Sequence, residues 1–235
     1  MKKRKDEHPS IFNIAINNEE SRPAISYSLS LSSEHLQHLR KESGLSDEII
    51  HQAGAYSVRP GDINKILGSG LGDKVNSLLA FPYPNNELTR YKLFPPVPNK
   101  DGHLIRYYQP NGSQNHLYIP ERVKPFISDP TIPLYVAEGE KKTLKAVQEG
   151  LNCIGISGLW NWSDGTDEKN LIHDFDKIKW KDRTVYLIPD NDWLNPDRQG
   201  ERKNLRGAVY ELAYRLIDRG AKVFIVKLPQ DEVTL

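Results

Sequence analysis

Two acidic signals stand at the ends of apolar runs in this sequence. Glu138-Gly139-Glu140 follows Leu134-Tyr135-Val136-Ala137, and Asp190-Asn191-Asp192 follows Val185-Tyr186-Leu187-Ile188-Pro189. Neighbouring carboxylates repel and raise one another's pKa, so two acidic ends on one edge call for a counter-charge. A hard divalent cation, Mg²⁺ or Mn²⁺, would supply it through oxygen ligands. Aspartates at i and i+2 put both side chains on one side of an extended turn. Gly139 leaves room for a phosphate or a backbone to approach. The alternative is that the acids are solvated residues at helix N-termini, where the macrodipole favours them. Lys141 and Lys142 come next, in the first turn of an expected helix, where cations oppose that dipole. They read either as contacts to a substrate phosphate or as a surface pair.

The elements that must position these residues alternate after residue 133. "LYVAE" is an apolar strand, and "KKTLKAVQEG" has helical spacing with Gly150 as its stop. "NCIGIS" is a strand that buries the single Cys153. "GTDEKNLIHDFDKI" predicts a helix with Leu171, Ile172 and Phe175 inward. "TVYLIPDND" is a strand, "NLRGAVYELAYRLIDRG" an amphipathic helix and "AKVFIVKLP" a last strand. Apolar strands alternating with helices imply a parallel sheet with helices on both faces, and such sheets hold ligands at the C-terminal ends of their strands.

The upstream half has a different grammar. "LSSEHLQHLRKESG" and "LSDEIIHQAG" predict two helices capped by Ser32 or Ser33 and by Ser46, stopped by Gly44 and Gly54. "GDINKILGSGLG" is a helical turn in a glycine-rich loop that lacks the Lys-Ser/Thr of a phosphate-cradling loop. From 76 to 120, "NSLLAFPY", "LTRYKLFPP", "HLIRYYQP" and "HLYIP" predict short antiparallel strands, with an Asp-Gly turn at 101–102. "ISDPTIP" (127–133) reads as a linker, and residues 1–26 as a polar, disordered leader. The domain organisation expected is 1–26 leader, 27–128 smaller α+β subdomain with antiparallel strands, and 130–235 parallel α/β domain.

Composition narrows the classes. The chain has 235 residues, 37% hydrophobic and 27% charged, with a net charge of +1. Nucleic-acid binding would therefore rest on a local patch and not on overall charge. One cysteine excludes a disulfide framework and a cysteine-rich zinc site. His35, His38, His51 and His173 have no shared metal-ligand spacing. No apolar run spans a membrane and the N-terminus lacks a signal-peptide core, so the expectation is a cytoplasmic protein without a membrane partner. Trp160 and Trp162, past a strand end, predict one core residue and one candidate for base stacking.

"AEGEKKTLKAVQEGLNCIGISGLWNW" together with "VYLIPDND" resembles a Toprim-like family of unknown function found in plasmids, phages and mobile elements. That family is related to the catalytic core of bacterial primases. The resemblance covers 130–235 and implies a Toprim-like fold, with Glu138 as catalytic acid or base and with Asp190 and Asp192 as metal-binding residues beside it. More faintly, "LLAFPYPN", "TRYKLFPP" and "KDGHLIRYYQPNGSQNHLYIP" resemble the subdomain that precedes Toprim in primases and helps to bind template. Arg90, Lys92 and Arg106 then match its basic residues, with Tyr107 and Tyr108 alongside. Cations interleaved with aromatics suit single-stranded nucleic acid, charge for phosphate and rings for bases. The insertion "WLNPDRQGERKN" after Asp192 departs from the primase pattern and brings Asp197 as a further acid.

The resemblance implies metal-dependent nucleotidyl transfer, with primer synthesis in mobile-element DNA replication as first expectation. Cleavage by the same apparatus, or a non-catalytic nucleic-acid-binding module, are the alternatives. Mg²⁺ or Mn²⁺ is the implied cofactor. Single-stranded DNA or RNA, nucleoside triphosphates and a replicative helicase are the implied partners.

Overall fold

The structure, a computed structural model, describes residues 30–84, 88–190 and 205–228. Serine caps set the first helices. Ser32 Oγ accepts the His35 N–H (3.2 Å) and opens α1 (Ser33–Gln37), which runs on through a π-helical turn, His38–Glu42. Ser46 Oγ accepts the Ile49 N–H and opens α2 (Asp47–Gln52). Both helices stop at glycines in the left-handed region, Gly44 and Gly54.

An antiparallel sheet of order β1-β2-β3-β4 follows. It comprises β1 (Tyr56–Ser57), β2 (Ser77–Pro82), β3 (Thr89–Pro98) and β4 (Leu104–Tyr108), with α3 (Ile63–Leu67) and α4 (Ser69–Gly72) between β1 and β2. Side chains alternate between its two faces, and both faces are covered. Leu78, Ala80, Leu93 and Val97 pack with Val58, Ile63, Leu67 and Val75 in a small separate core. Leu79 and Phe81 join the main core, shared with α1, α2 and the downstream half of the chain. Arg90, Lys92 and Phe94 occupy alternate positions of β3, and Phe94 packs against that main core.

The downstream half is a parallel sheet of order β6-β5-β7-β8, built from β5 (Leu134–Glu138), β6 (Cys153–Ile156), β7 (Thr184–Ile188) and β8 (Lys222–Ile225). Helix α5 (Glu140–Gln148) joins β5 to β6 and α6 (Leu205–Asp218) precedes β8. The connections run in opposite directions across the sheet, so right-handed crossovers put the helices on opposite faces. Thr143 of α5 sits over Gly155, where an added Cβ would meet its Oγ1 at 2.5 Å, while Val209 and Leu212 of α6 meet Val136 and Leu187 on the other face. The fold is thus the mixed α/β arrangement read from the sequence, an antiparallel sheet before a parallel one.

Three local expectations fail for identifiable reasons. "HLYIP" is no strand of the antiparallel sheet. It turns to the other sheet, where Tyr118 and Gly155 exchange two backbone hydrogen bonds of 2.8 Å and cover the edge of β6. The helix expected over "GTDEKNLIHDFDKI" is reduced to a 3₁₀ turn, His173–Lys177. Asp164 Oδ1 accepts from the Thr166 N–H (3.0 Å) and Thr166 Oγ1 (2.7 Å), so a side chain satisfies the backbone in a turn and competes with helix. The stretch 127–133 is no free linker. The fully buried Arg183 donates to the carbonyls of Phe126, Ile127, Ile132 and Lys179 and ties it to β7. The expected leader, Asp192 and Asp197 lie outside the described residues.

Candidate active site

The two acidic signals leave neighbouring strands. Ala137 of β5 pairs with Ile188 of β7, so Glu138 and the Pro189-Asp190 step emerge side by side at the C-terminal edge of the sheet. Glu138 also pairs with Ile156 of β6, and it borders a shallow apolar dimple with Val136, Leu187, Pro189 and Val209. Gly139 then turns the chain into α5 at φ +85°, with its N–H donating to Ile156 O (2.7 Å). An added Cβ there would meet nothing within 4 Å. The left-handed backbone at 139 calls for glycine, and the open space beside it leaves room for an approaching group.

Glu140, the second acid of the Glu-Gly-Glu signal, turns inward and is 1% exposed. Its Oε1 accepts from Arg90 Nη1 (2.7 Å) and from the Tyr83 hydroxyl (2.7 Å). Burial next to this carboxylate pushes the Tyr83 phenol well above its ordinary pKa, which keeps it a donor. The trio joins β3 of the antiparallel sheet to the first turn of α5, immediately after Glu138. Sequence reading missed Glu140 and Tyr83. The row of Arg90, Lys92 and Phe94 gave no signal for them, since only the fold shows that a buried arginine there needs a buried acid.

Arg90 is accordingly not the surface phosphate contact expected of it. It is 8% exposed and its charge is taken by Glu140. Tyr108 and its neighbour Tyr107 lie on opposite faces of β4. Tyr108 packs half-buried against the small core beside Tyr91, and Tyr107 is the ring that faces the cations, 5.2 Å from the Arg90 guanidinium and 5.1 Å from Lys92 Nζ. Lys92 also lies 5.2 Å from the Phe94 ring, and Arg106 is exposed on β4.

The two lysines after Glu140 part ways. Lys142 reaches across to Asp190 and contacts both carboxylate oxygens. Lys141 turns towards the upstream helices and donates to His38 Nε2 (2.9 Å), whose Nδ1 in turn meets Glu42 Oε2 at 2.7 Å. Burial, then the charge of Lys141, lowers the pKa of His38, so a neutral imidazole fits between a donor and an acceptor. Burial, followed by the nearby Lys92, brings the Lys141 ammonium down to about 8. Lys92 is lowered as well, first by burial and then by Arg106. Trp162 is the core residue of its pair, and Trp160 is half-buried with Lys169 Nζ 4.5 Å from its ring.

The donor set suits a hard cation: Glu138 and Asp190 offer carboxylate oxygens from adjacent strand ends. Among the described residues no group of three His, Cys, Asp or Glu closes on one point. Lys142 takes the place beside Asp190 that a cation would take.

Residues 124–233, just under half of the chain, match a family model described as a domain of unknown function, DUF3854. No curated protein matches the chain. Among solved structures, the chain is similar to the Aquifex aeolicus primase (zinc-binding and RNA polymerase domains), with a TM-score of 0.52 and 16% identity over 85% of this chain and 51% of that one. The DnaG catalytic core gives a TM-score of 0.54 at 16% identity, covering 88% of this chain and 68% of that one. The DnaG primase catalytic domain bound to ssDNA gives 0.50 at 16% identity, covering 84% and 64%. The chain spans about half the length of the Aquifex aeolicus structure. The likeness is one of fold.

Proposed function

We propose that this chain is a Toprim-type nucleotidyl transferase that builds primers on single-stranded nucleic acid in the replication of a mobile element, in the cytoplasm and in concert with a helicase. The observation that carries the reading is the placement of Glu138 and Asp190 on adjacent strand ends. They stand next to a seam of cations and rings, in a fold similar to the DnaG catalytic core.

A nucleotide 3′-hydroxyl attacks the α-phosphorus of a nucleoside triphosphate in this scheme. The new O–P bond forms, the bond to the bridging oxygen breaks, and pyrophosphate leaves. Glu138 takes the hydroxyl proton. Glu138, Asp190 and Asp192 are the residues that would hold Mg²⁺ or Mn²⁺, which supplies positive charge against the charge developing on phosphate oxygen. Asp190 would have to release Lys142 to hold such an ion. Gly139, Lys141 and Lys142 border the phosphates, while Arg106, with Tyr107 and Tyr108, meets the template strand and Arg90 holds α5 in register through Glu140. Among the described residues, no helix is long and apolar enough to cross a membrane.

The test is incubation with Mg²⁺ or Mn²⁺, a single-stranded template and labelled nucleotides, resolved for longer and shorter products. Extension that disappears in Glu138→Gln supports primer synthesis, and shortened template supports cleavage. The Lys142–Asp190 ion pair favours one further reading: a lysine neutralises the aspartate permanently and the domain only binds nucleic acid. Binding without any product, with or without metal, would be its signature.

A further inference from the structure

The seam between the antiparallel sheet and α5 holds more positive charge than its surroundings balance. Arg90 is matched by Glu140 and Lys142 by Asp190. Lys92 and Lys141 are both half-buried, and among the described residues no carboxylate lies within 4 Å of either ammonium. Phe94 ties the two together. Its ring is 5.2 Å from Lys92 Nζ and 5.2 Å edge-on from the His38 ring, which accepts from Lys141. Arg106 stands close enough to press on Lys92, and Glu42, which hydrogen-bonds His38, favours the charge of both lysines without pairing with either. Like charges brought together away from water are costly, and nothing in the fold requires ammonium groups at these two positions. Glu42, Glu140 and the rings beside Lys92 offset them in part, and an anion from outside would offset the rest.

We propose that Lys92 and Lys141 form one seat for a compact polyphosphate, the triphosphate of a nucleotide or the pyrophosphate it releases, with His38 and Glu42 positioning Lys141. Naming a nucleotide rests on the function proposed above; the seat for polyphosphate does not. Two half-buried ammoniums on one seam, near enough for Lys92 to lower the pKa of Lys141, suit a compact group with several charges. A nucleic-acid backbone offers one charge per phosphate, spaced along a chain. The environment of Lys141 couples the seat to protons. Lys92 from β3, Lys142 from its own helix and burial disfavour its charge, while Glu42 and Glu140 favour it, and the balance brings it to about 8. A bound polyanion reverses that, so binding at pH 8 draws in about half a proton at Lys141, and affinity falls as pH rises above 8.

The experiment is calorimetric titration of the intact chain with inorganic tripolyphosphate at pH 8, free of divalent metal, in two buffers of different protonation enthalpy. Lys92→Met and Lys141→Met should each weaken binding at least tenfold. Lys141→Arg should restore affinity without the proton uptake, because arginine stays charged. Proton exchange by tripolyphosphate itself is common to all variants and cancels in the difference from Lys141→Arg. Circular dichroism confirms folding, and the arginine variant decides the matter should the methionine variant unfold. Equal binding by wild type and Lys141→Met, or equal proton uptake by wild type and Lys141→Arg, overturns the seat. A thymidine oligonucleotide that loses as much affinity as tripolyphosphate in Lys141→Met assigns the lysines to backbone phosphate and overturns it also. Failure of primer synthesis with tripolyphosphate binding intact rejects the proposed function and leaves the seat standing.

Discussion

Lys142, in the first turn of α5, holds both carboxylate oxygens of Asp190 at the end of β7. The residue four places after Glu138 is thus the counter-charge of the aspartate expected to bind metal. Both side chains are partly exposed, at 52% and 38%, so the pair is exchangeable and a dication of higher charge density can displace the ammonium.

Removing the competitor should strengthen metal binding. An exposed ion pair is worth about 0.2–1 kcal/mol, so Lys142→Met should bind Mn²⁺ up to about fivefold more tightly than wild type. Manganese electron paramagnetic resonance in competition with Mg²⁺ measures this. Weaker binding in Lys142→Met would mean that the lysine supports the site instead of occupying it.

The buried pair of Arg90 and Glu140 predicts an asymmetric cost. Arg90→Met strands a carboxylate that is 1% exposed, and breaking such a pair costs about 3–5 kcal/mol. Arg90→Met with Glu140→Leu should be markedly less destabilised than Arg90→Met alone, since both charges are gone. Urea unfolding midpoints give the comparison. Additive losses would show that the two groups do not stabilise one another.

Much of this architecture is legible in sequence because it rests on local rules. Ser32 and Ser46 cap helices, Gly44 and Gly54 end them, and the apolar runs ending at Glu138 and Asp190 mark strand ends on one edge. Long-range partners are not legible in the same way. Arg90 and Glu140 are 50 residues apart, and the pattern Thr-Arg-Tyr-Lys-Leu fits a strand with its arginine in water as well as one with it buried. The second face of the antiparallel sheet decides between them, and the two-residue period says nothing about what covers a face. His38 was equally hidden. It opens the π-helical turn after α1, and only the approach of α5 gives it Lys141. The failed helix after Gly165 had a local cause, since Asp164 and Thr166 form a side-chain turn that apolar spacing does not register.

Stability should rise in alkali in a way that Lys141 accounts for. The folded chain holds that proton less tightly, at about 8, than the ordinary 10.5. Below pH 8 both states are protonated and the penalty is constant. Between about pH 8 and 10.5 the unfolded state binds more protons, so this group's contribution grows with pH. Wild type should therefore gain on Lys141→Met across that window in thermal melts, with Lys92 adding to the slope in both. Parallel pH profiles for the two proteins would contradict the placement of Lys141.

Arg106 is the exposed cation of the antiparallel sheet, and it should act on nucleic acid through charge alone. Arg106→Ala should lower the salt dependence of single-strand binding by about 0.7 in the log–log slope, one phosphate contact. Fluorescence anisotropy of a labelled oligonucleotide across a salt series reads it. An unchanged slope would remove Arg106 from the interface.

The central claim is that Glu138 and Asp190 share one divalent cation. Mn²⁺ binding to the intact chain, followed by electron paramagnetic resonance, tests it most directly. The account predicts one site in wild type that is lost or weakened at least tenfold in both Glu138→Gln and Asp190→Asn, with folding intact. Equal Mn²⁺ binding by wild type and either variant would contradict it.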